Sequence, residues 1–383
     1  MLTRIPVAST DLTGNEEAYA VEAIRSSWIS SSGKFLDRFE KDFAELCDSR
    51  YALGVSNGTV ALHLALLGMN IRPGDEVLVP SLTYVATANA VRYVGGEPVF
   101  VDVDPETWCI DPDKLEAALS RRTRGIIAVH LLGHPADMDR INQFAGIHGL
   151  WVVEDAAEAP FARYKGKVTG SLSDASTFSF FGNKMITCGE GGAVVLNDEK
   201  LYARLKALRG QGMDPNRRYY FPITGYNFRL TNLAASILCA QLERSDEIAI
   251  KRLGIFQRYN DGLGSLEGVS LQPVQEWATL SPWMYACIIN AERFGCSRDQ
   301  LMERLGERNI ETRPMFIPLH QLPPFRELSE QRREYLPHTE RLAAGGIMLP
   351  TYTNLTLEDQ NRVIEEIASI SRQSRELTSR RAA

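Results

Sequence analysis

The chain has 383 residues, 44% hydrophobic and 23% charged, with a net charge of −6. This length exceeds what one hydrophobic core fills, so a large domain with a smaller companion is expected, and the ordinary composition excludes wholesale disorder. The acidic balance argues against a nucleic-acid partner, which needs a clustered basic face; the one dense basic spot inside the fold, Arg217-Arg218, reads as a solvated loop.

From about residue 50, apolar runs of strand length alternate with segments of helical period, the pattern of an α/β protein. A strand is expected from Tyr51 to Ser56, then a helix from Thr59 to Gly68 with Ala61, Leu62, Ala65 and Leu66 on one face. Strands from Glu76 to Pro80 and Pro98 to Asp102 flank a helix around Tyr84 to Tyr93. Asp111 and Pro112 cap and open a helix through Leu119. A strand from Gly125 to Leu131 and a helix from Met138 to His148 lead to Leu150 to Glu154, an apolar run read as a strand buried on both faces. Strands from Ala175 to Phe180 and Gly192 to Leu196 bring the total to seven, a large and mostly parallel sheet. A long helix from Leu233 to Arg258 and a strand from Met284 to Asn290 follow. The expected division is residues 1–250 as the large domain and 251–383 as a small C-terminal α+β domain. The polar stretch from about 371, with Arg372, Arg375, Arg380 and Arg381 and no apolar period, is expected to fray.

The six cysteines show no CxxC pair and no grouping with His. No metal site or disulfide framework is signalled, and a reducing, cytoplasmic setting fits. Residues 1–14 lack the apolar core of a signal peptide, and no apolar run approaches ~20 residues, so a soluble protein with no membrane partner is expected.

Ligands in open α/β sheets bind at the carboxyl ends of strands, and four such ends carry special residues. Ser56-Asn57-Gly58-Thr59 joins a strand to a helix whose N-terminus, opened by a glycine, could cradle a phosphate. Asp155 leaves a buried strand; it needs a cation such as a protonated pyridine nitrogen, or it caps the next helix. Lys184 lies in a turn between two apolar strands, followed by Gly189-Glu190-Gly191-Gly192, where burial would free its amine for a Schiff base. Gly225-Tyr226-Asn227-Phe228-Arg229-Leu230 precedes a long helix. His63 reads as a satisfied core histidine, and His130 and His134 as supporting residues.

Asn57-Gly58-Thr59, the run from Pro80 to Thr87, Glu154 to Ala159, Ser179 to Lys184 and Gly225 to Arg229 together resemble the fold-type-I, pyridoxal-phosphate (PLP) sugar aminotransferases of the DegT/DnrJ/EryC1/StrS family. Order and spacing agree over almost the whole chain. Within that family, Phe178 to Lys184, Leu208 to Tyr219 and Trp28 to Ser31 are most similar to the GDP-perosamine synthases, although Ile317 stands where those tend to carry a further His.

The resemblance implies that Lys184 bonds the cofactor and shuttles the proton, that Asp155 pairs with the ring nitrogen, that Gly58, Thr59 and Ser179 hold the phosphate, and that Tyr84 stacks on the ring. It implies that Asn227 reaches the neighbouring subunit's phosphate, so the partner is a second copy in a homodimer with shared sites, with tetramers left open. Glu158 falls at the position facing the ring oxygen, where other members carry His or Gln; it is expected to be protonated, to use a bridging water, or to turn away. Arg229, Arg313 and His320 are candidates for substrate contacts, each weighed against an ordinary ion pair. The implied reaction moves an amino group from L-glutamate, through pyridoxamine phosphate, to a nucleotide-linked 4-keto-6-deoxysugar, foremost GDP-4-keto-6-deoxymannose. The alternatives are a dTDP- or UDP-linked ketosugar, a cyclitol, or a PLP-binding regulator without turnover.

Overall fold

A computed structural model describes the backbone of residues 3–382 and the side chains of residues 3–377. The apolar runs pair as a seven-stranded sheet in the order Tyr51–Val55, Gly192–Leu196, Ala175–Ser179, Trp151–Asp155, Thr123–Val129, Glu76–Pro80, Glu97–Val101. Gly192–Leu196 runs antiparallel to both its neighbours, and the remaining strands share one direction. The carboxyl ends of Tyr51–Val55, Trp151–Asp155 and Ala175–Ser179 therefore meet at one edge of the sheet, as βαβ crossovers require. Glu76–Pro80 and Gly192–Leu196 are buried throughout, which explains the apolar runs Val77 to Pro80 and Gly192 to Leu196.

Two helices, Glu16–Arg25 and Lys34–Leu46, precede the first strand, where no element was expected. Lys34–Leu46 buries Phe35, Leu36, Phe39 and Phe43. Phe43 meets Phe178 edge-on at 4.9 Å and Phe180 at 5.2 Å, so this helix braces the strand that leads to Lys184.

The long helix expected from Leu233 to Arg258 is two, Asn232–Glu243 and Ser245–Leu263. Arg244 between them is non-helical, and its guanidinium turns to Asp11 and Glu247, both at 3.1 Å. Beyond it, Val269–Leu271, Tyr285–Ile289, Gly346–Leu349 and Arg313–Pro314 form an antiparallel sheet. Its core takes in Ile255, Tyr259, Leu301, Ile347 and Ile367, together with Ile5 from the start of the chain. A small sheet of Ala278–Thr279, Arg163–Tyr164 and Lys167–Val168 ties the later part of the chain to the earlier one.

The segment from 371, expected to fray, continues the helix Leu357–Ala382; residue 383 lies outside the described residues. Over residues 371–377, whose side chains are described, the packing uses hydrogen bonds. Buried Ser371 donates to the Phe294 carbonyl at 3.1 Å, and Arg304 donates to Ser374 at 2.6 Å. No described helix is long and apolar enough to cross a membrane.

Candidate active site

Asn57 leaves the first strand in extended conformation and caps the helix Gly58–Gly68, its side chain accepting from the Val60 N–H at 2.9 Å. The earliest amides of that helix, on Gly58 and Thr59, have no intrahelical partner and lie at its positive end. Glycine is required at 58 by contact, since a Cβ there would stand 2.7 Å from the Ser179 Cβ. It is required at 192 as well, where a Cβ would meet the Asn57 carbonyl oxygen at 2.5 Å. Val55 pairs with Gly192, and Gly192 with Ser179, in the sheet register. Gly58, Thr59 and Ser179 thus share one corner rich in amides and hydroxyls, suited to a phosphate.

Adjacent carboxylates on the strand Trp151–Asp155 have different surroundings, because successive side chains point to opposite faces. Glu154 accepts from His130 Nε2 at 2.9 Å, the Gly170 and Leu172 amides at 3.0 Å, Ser173 Oγ at 3.0 Å and Ser176 Oγ at 2.6 Å. Burial pushes its pKa up, but these donors outweigh it and hold the carboxyl below its ordinary range. Glu154 is a satisfied anion, and His130 is structural: its Nδ1 accepts from the Ala136 amide at 3.0 Å, so the ring proton is on Nε2.

Asp155 is bonded instead by neutral donors, Thr87 Oγ1 at 2.7 Å and the Ala157 amide at 3.2 Å. Burial raises its pKa, and those bonds and Lys184 offset this only in part. Lys184 closes a turn with its amide on the Phe181 carbonyl at 2.9 Å. Burial lowers its pKa, while the charges of Glu158 and Asp155 push it back up. Asp155, Glu158 and Lys184 are therefore one electrostatic unit.

These residues fit PLP. A protonated pyridine nitrogen would give Asp155 a directly hydrogen-bonded cation, Lys184 offers an amine to the aldehyde, and the corner at Gly58 offers donors to the phosphate. Beside Lys184, Asn183 Oδ1 is buried without a hydrogen-bond partner, as expected where a polar group is still to be received.

Glu158 is buried, and its Oε2 accepts from the Leu132 amide at 2.8 Å. Leu132 holds that amide in place from a left-handed conformation, φ 51°, that branched residues seldom adopt. Burial raises the Glu158 pKa from 4.5 to about 7, with Lys184 opposing. A carboxyl raised in the fold contributes stability that is complete below its unfolded pKa and lost as pH rises through the folded value. Glu158→Gln is therefore expected to reduce the fall in melting temperature of the cofactor-free protein between about pH 5 and pH 8, and to retain lysine-dependent PLP absorbance. An unchanged fall, or loss of that absorbance, contradicts this reading.

Tyr84 is exposed two residues before the helix Ala86–Tyr93 that carries Thr87, and its ring meets Phe316 at 6.1 Å. Asn227 is exposed and accepts from Arg229 Nε at 3.0 Å. Their segment runs beside the phosphate corner, since the Phe228 carbonyl accepts from the Ser56 amide at 2.9 Å. Arg313 is exposed on an edge strand of the second sheet.

His320 differs from the open substrate contact considered for it, because both its ring nitrogens are engaged. Nε2 donates to the Glu340 carboxylate at 3.1 Å, which leaves Nδ1 to accept from Ser81 Oγ at 2.8 Å, and that hydroxyl oxygen accepts from the His320 amide at 3.2 Å. His63, expected to be satisfied, has a buried Nε2 without a hydrogen bond and packs against Tyr93, Tyr226 and Phe228. Thr87 and Leu132 carry no local signal of their roles; Thr87 falls within the Pro80 to Thr87 run but is one of several hydroxyls there.

The chain matches the DegT/DnrJ/EryC1/StrS aminotransferase family over residues 10–368. It is 48% identical to a GDP-perosamine synthase of Caulobacter vibrioides, covering 96% of this chain and 99% of that one. It is 43% identical to a GDP-perosamine synthase of Escherichia coli O157:H7, covering 95% and 97%. Its fold superposes on S. venezuelae DesV, solved in complex with a ketimine intermediate, with a TM-score of 0.89 at 34% identity over 96% of this chain and 98% of that one. The chain belongs to the DegT/DnrJ/EryC1/StrS family of PLP-dependent sugar aminotransferases.

Proposed function

We propose that the protein transfers the amino group of L-glutamate to GDP-4-keto-6-deoxymannose, giving GDP-perosamine, and does so as a cytoplasmic homodimer. The observation that carries the chemistry is the placement of Lys184 beside two buried carboxylates, Asp155 and Glu158. The choice of sugar is supported by near-full-length similarity to the two perosamine synthases. Exposed Trp28, Tyr219, Tyr220 and Phe221 support a second copy as partner.

When bound, PLP supplies an electrophilic carbon for the amino group and an electron sink. Lys184, its ammonium weakened by burial, would present Nζ to carry a proton between the substrate carbon and the cofactor in each half-reaction, away from the donor in the first and onto the sugar carbon in the second. Asp155, oriented by Thr87 and Ala157, keeps the proton on the ring nitrogen. Glu158, with Oε2 held by Leu132, has Oε1 left to carry its proton as a donor in the place where relatives use His or Gln. Gly58, Thr59 and Ser179 hold the phosphate. Asn227 reaches the partner's site, and Tyr84 covers the ring. Arg229 and Arg313 are the cations proposed for the carboxylate and diphosphate; the pairing of His320 with Glu340 favours a supporting role for that residue.

Steady-state rates with L-glutamate and matched GDP-, dTDP- and UDP-linked 4-keto-6-deoxysugars test the substrate. The GDP sugar is expected to lead in kcat/KM by about 100-fold, well within the roughly 10⁴- to 10⁵-fold that a site built to hydrogen-bond specific substrate groups can reach. Equal or better turnover of a dTDP or UDP sugar would overturn the choice of nucleotide.

A further inference from the structure

The segment Ser281 to Trp283 comes from the later part of the chain, just ahead of the strand Tyr285–Ile289. It touches the residues on both sides of the reacting lysine. Trp283 Nε1 donates to the Asn183 carbonyl at 3.0 Å, on the peptide that enters Lys184. Ser281 Oγ lies 3.6 Å from the sulfur of Met185, the residue that leaves it. The Ser281 amide also donates to the Gly133 carbonyl at 3.0 Å, next to the strained Leu132 that holds Glu158.

Trp283 is itself fixed. It is 4% exposed, its amide donates to the Ser281 carbonyl at 2.8 Å, and its carbonyl accepts from the buried Arg252 guanidinium at 2.7 Å. Lys184 Nζ stands 3.8 Å from the centroid of its indole ring. An indole face attracts an ammonium far more than a neutral amine. The lysine must be released from the cofactor while the amino group moves, and it must then stay close to the carbon it reprotonates.

We propose that Trp283 is a positioning residue for Lys184: its ring face holds the free ammonium over the site, and its N–H pins the turn from which the lysine projects. The inference rests on Lys184 being the reacting lysine. The groups that set the lysine's charge are Asp155 from the central strand, Glu158 from the loop after it, and the indole from the segment ahead of the strand Tyr285–Ile289. The carboxylates and the indole favour the ammonium, and burial opposes it. Removing the π face alone should therefore move the balance toward the neutral amine.

The test uses the cofactor-free protein, so it reads the indole–lysine pair independently of turnover. Carbamylation of Lys184 by cyanate is followed against pH by peptide mass spectrometry in wild type, Trp283→Phe and Trp283→Leu. Both variants lose the N–H, but only the leucine loses the ring. At a pH below the wild-type midpoint, Leu is expected to react faster than Phe by about 3- to 30-fold, the range a cation–π contact supports, with Phe close to wild type. Identical pH profiles for Phe and Leu, or a slower Leu variant, would overturn the proposal, because a purely structural role treats the two alike. If the leucine variant does not fold, Trp283→Met takes its place under the same criteria. Failure of this test leaves the assignment of Lys184 standing, since that is decided separately by its own replacement.

Discussion

Lys184→Ala is expected to lower turnover by about 10⁴-fold or more, because one side chain performs two tasks and both are lost. The first is capture of PLP through the amine, whose pKa burial lowers against the pull of Glu158 and Asp155. The second is proton transfer at the carbon that receives the amino group. The two can be separated. Supplying pyridoxamine phosphate bypasses capture, so a variant lacking only the first task would recover with it. The account predicts no such recovery, but partial rescue by small primary amines that can reach the vacated space. Wild-type rates in Lys184→Ala with pyridoxamine phosphate would assign the proton transfer to another group.

The second large effect is at Asp155. Asn at this position is nearly isosteric and can keep the bond from Thr87, yet it cannot hold a proton on the ring nitrogen by charge. Asp155→Asn is expected to lower kcat by about 10²- to 10³-fold, the range found when one preorganised electrostatic partner is removed, with KM for glutamate little changed. Its effect on the cofactor-free fold should have the opposite sign. Burial raises the Asp155 pKa, so its contribution to stability is lost as pH rises through the folded value. The cofactor-free Asn variant should therefore melt above wild type at pH 8, while the PLP-loaded variant loses that advantage. A variant less stable than wild type without cofactor at pH 8 would mean that Lys184 and the hydrogen bonds already outweigh the burial of Asp155.

The α/β reading and the seven strands were legible because sheet strands buried on both faces read as short, mainly apolar runs, as Trp151 to Val153 and Gly192–Leu196 do. Asp155 and Lys184 stood out for a related reason: each interrupts apolar sequence at a strand end, where a charge needs a purpose. The helix Lys34–Leu46 was also legible in principle, since Phe35, Leu36, Phe39 and Phe43 repeat at helical spacing. What stayed hidden depends on contacts between distant segments. Trp283 meets Lys184 only after the second sheet has docked, and no local pattern marks it. The commitment of His320 to Ser81 and Glu340 is equally tertiary. The tail misled because periodicity detects apolar packing, whereas Ser371 and Ser374 pack by hydrogen bonds.

The most direct test of amino transfer through this site is a single-turnover transfer by the PLP-loaded enzyme. The enzyme is charged with isotopically labelled L-glutamate, freed of excess donor, and mixed with GDP-4-keto-6-deoxymannose, and the nucleotide sugar is analysed by mass spectrometry. The account predicts one labelled nitrogen in the sugar per active site, with none in a parallel Lys184→Ala reaction. Consumption of the ketosugar without label, or label transfer that survives loss of Lys184, would contradict it.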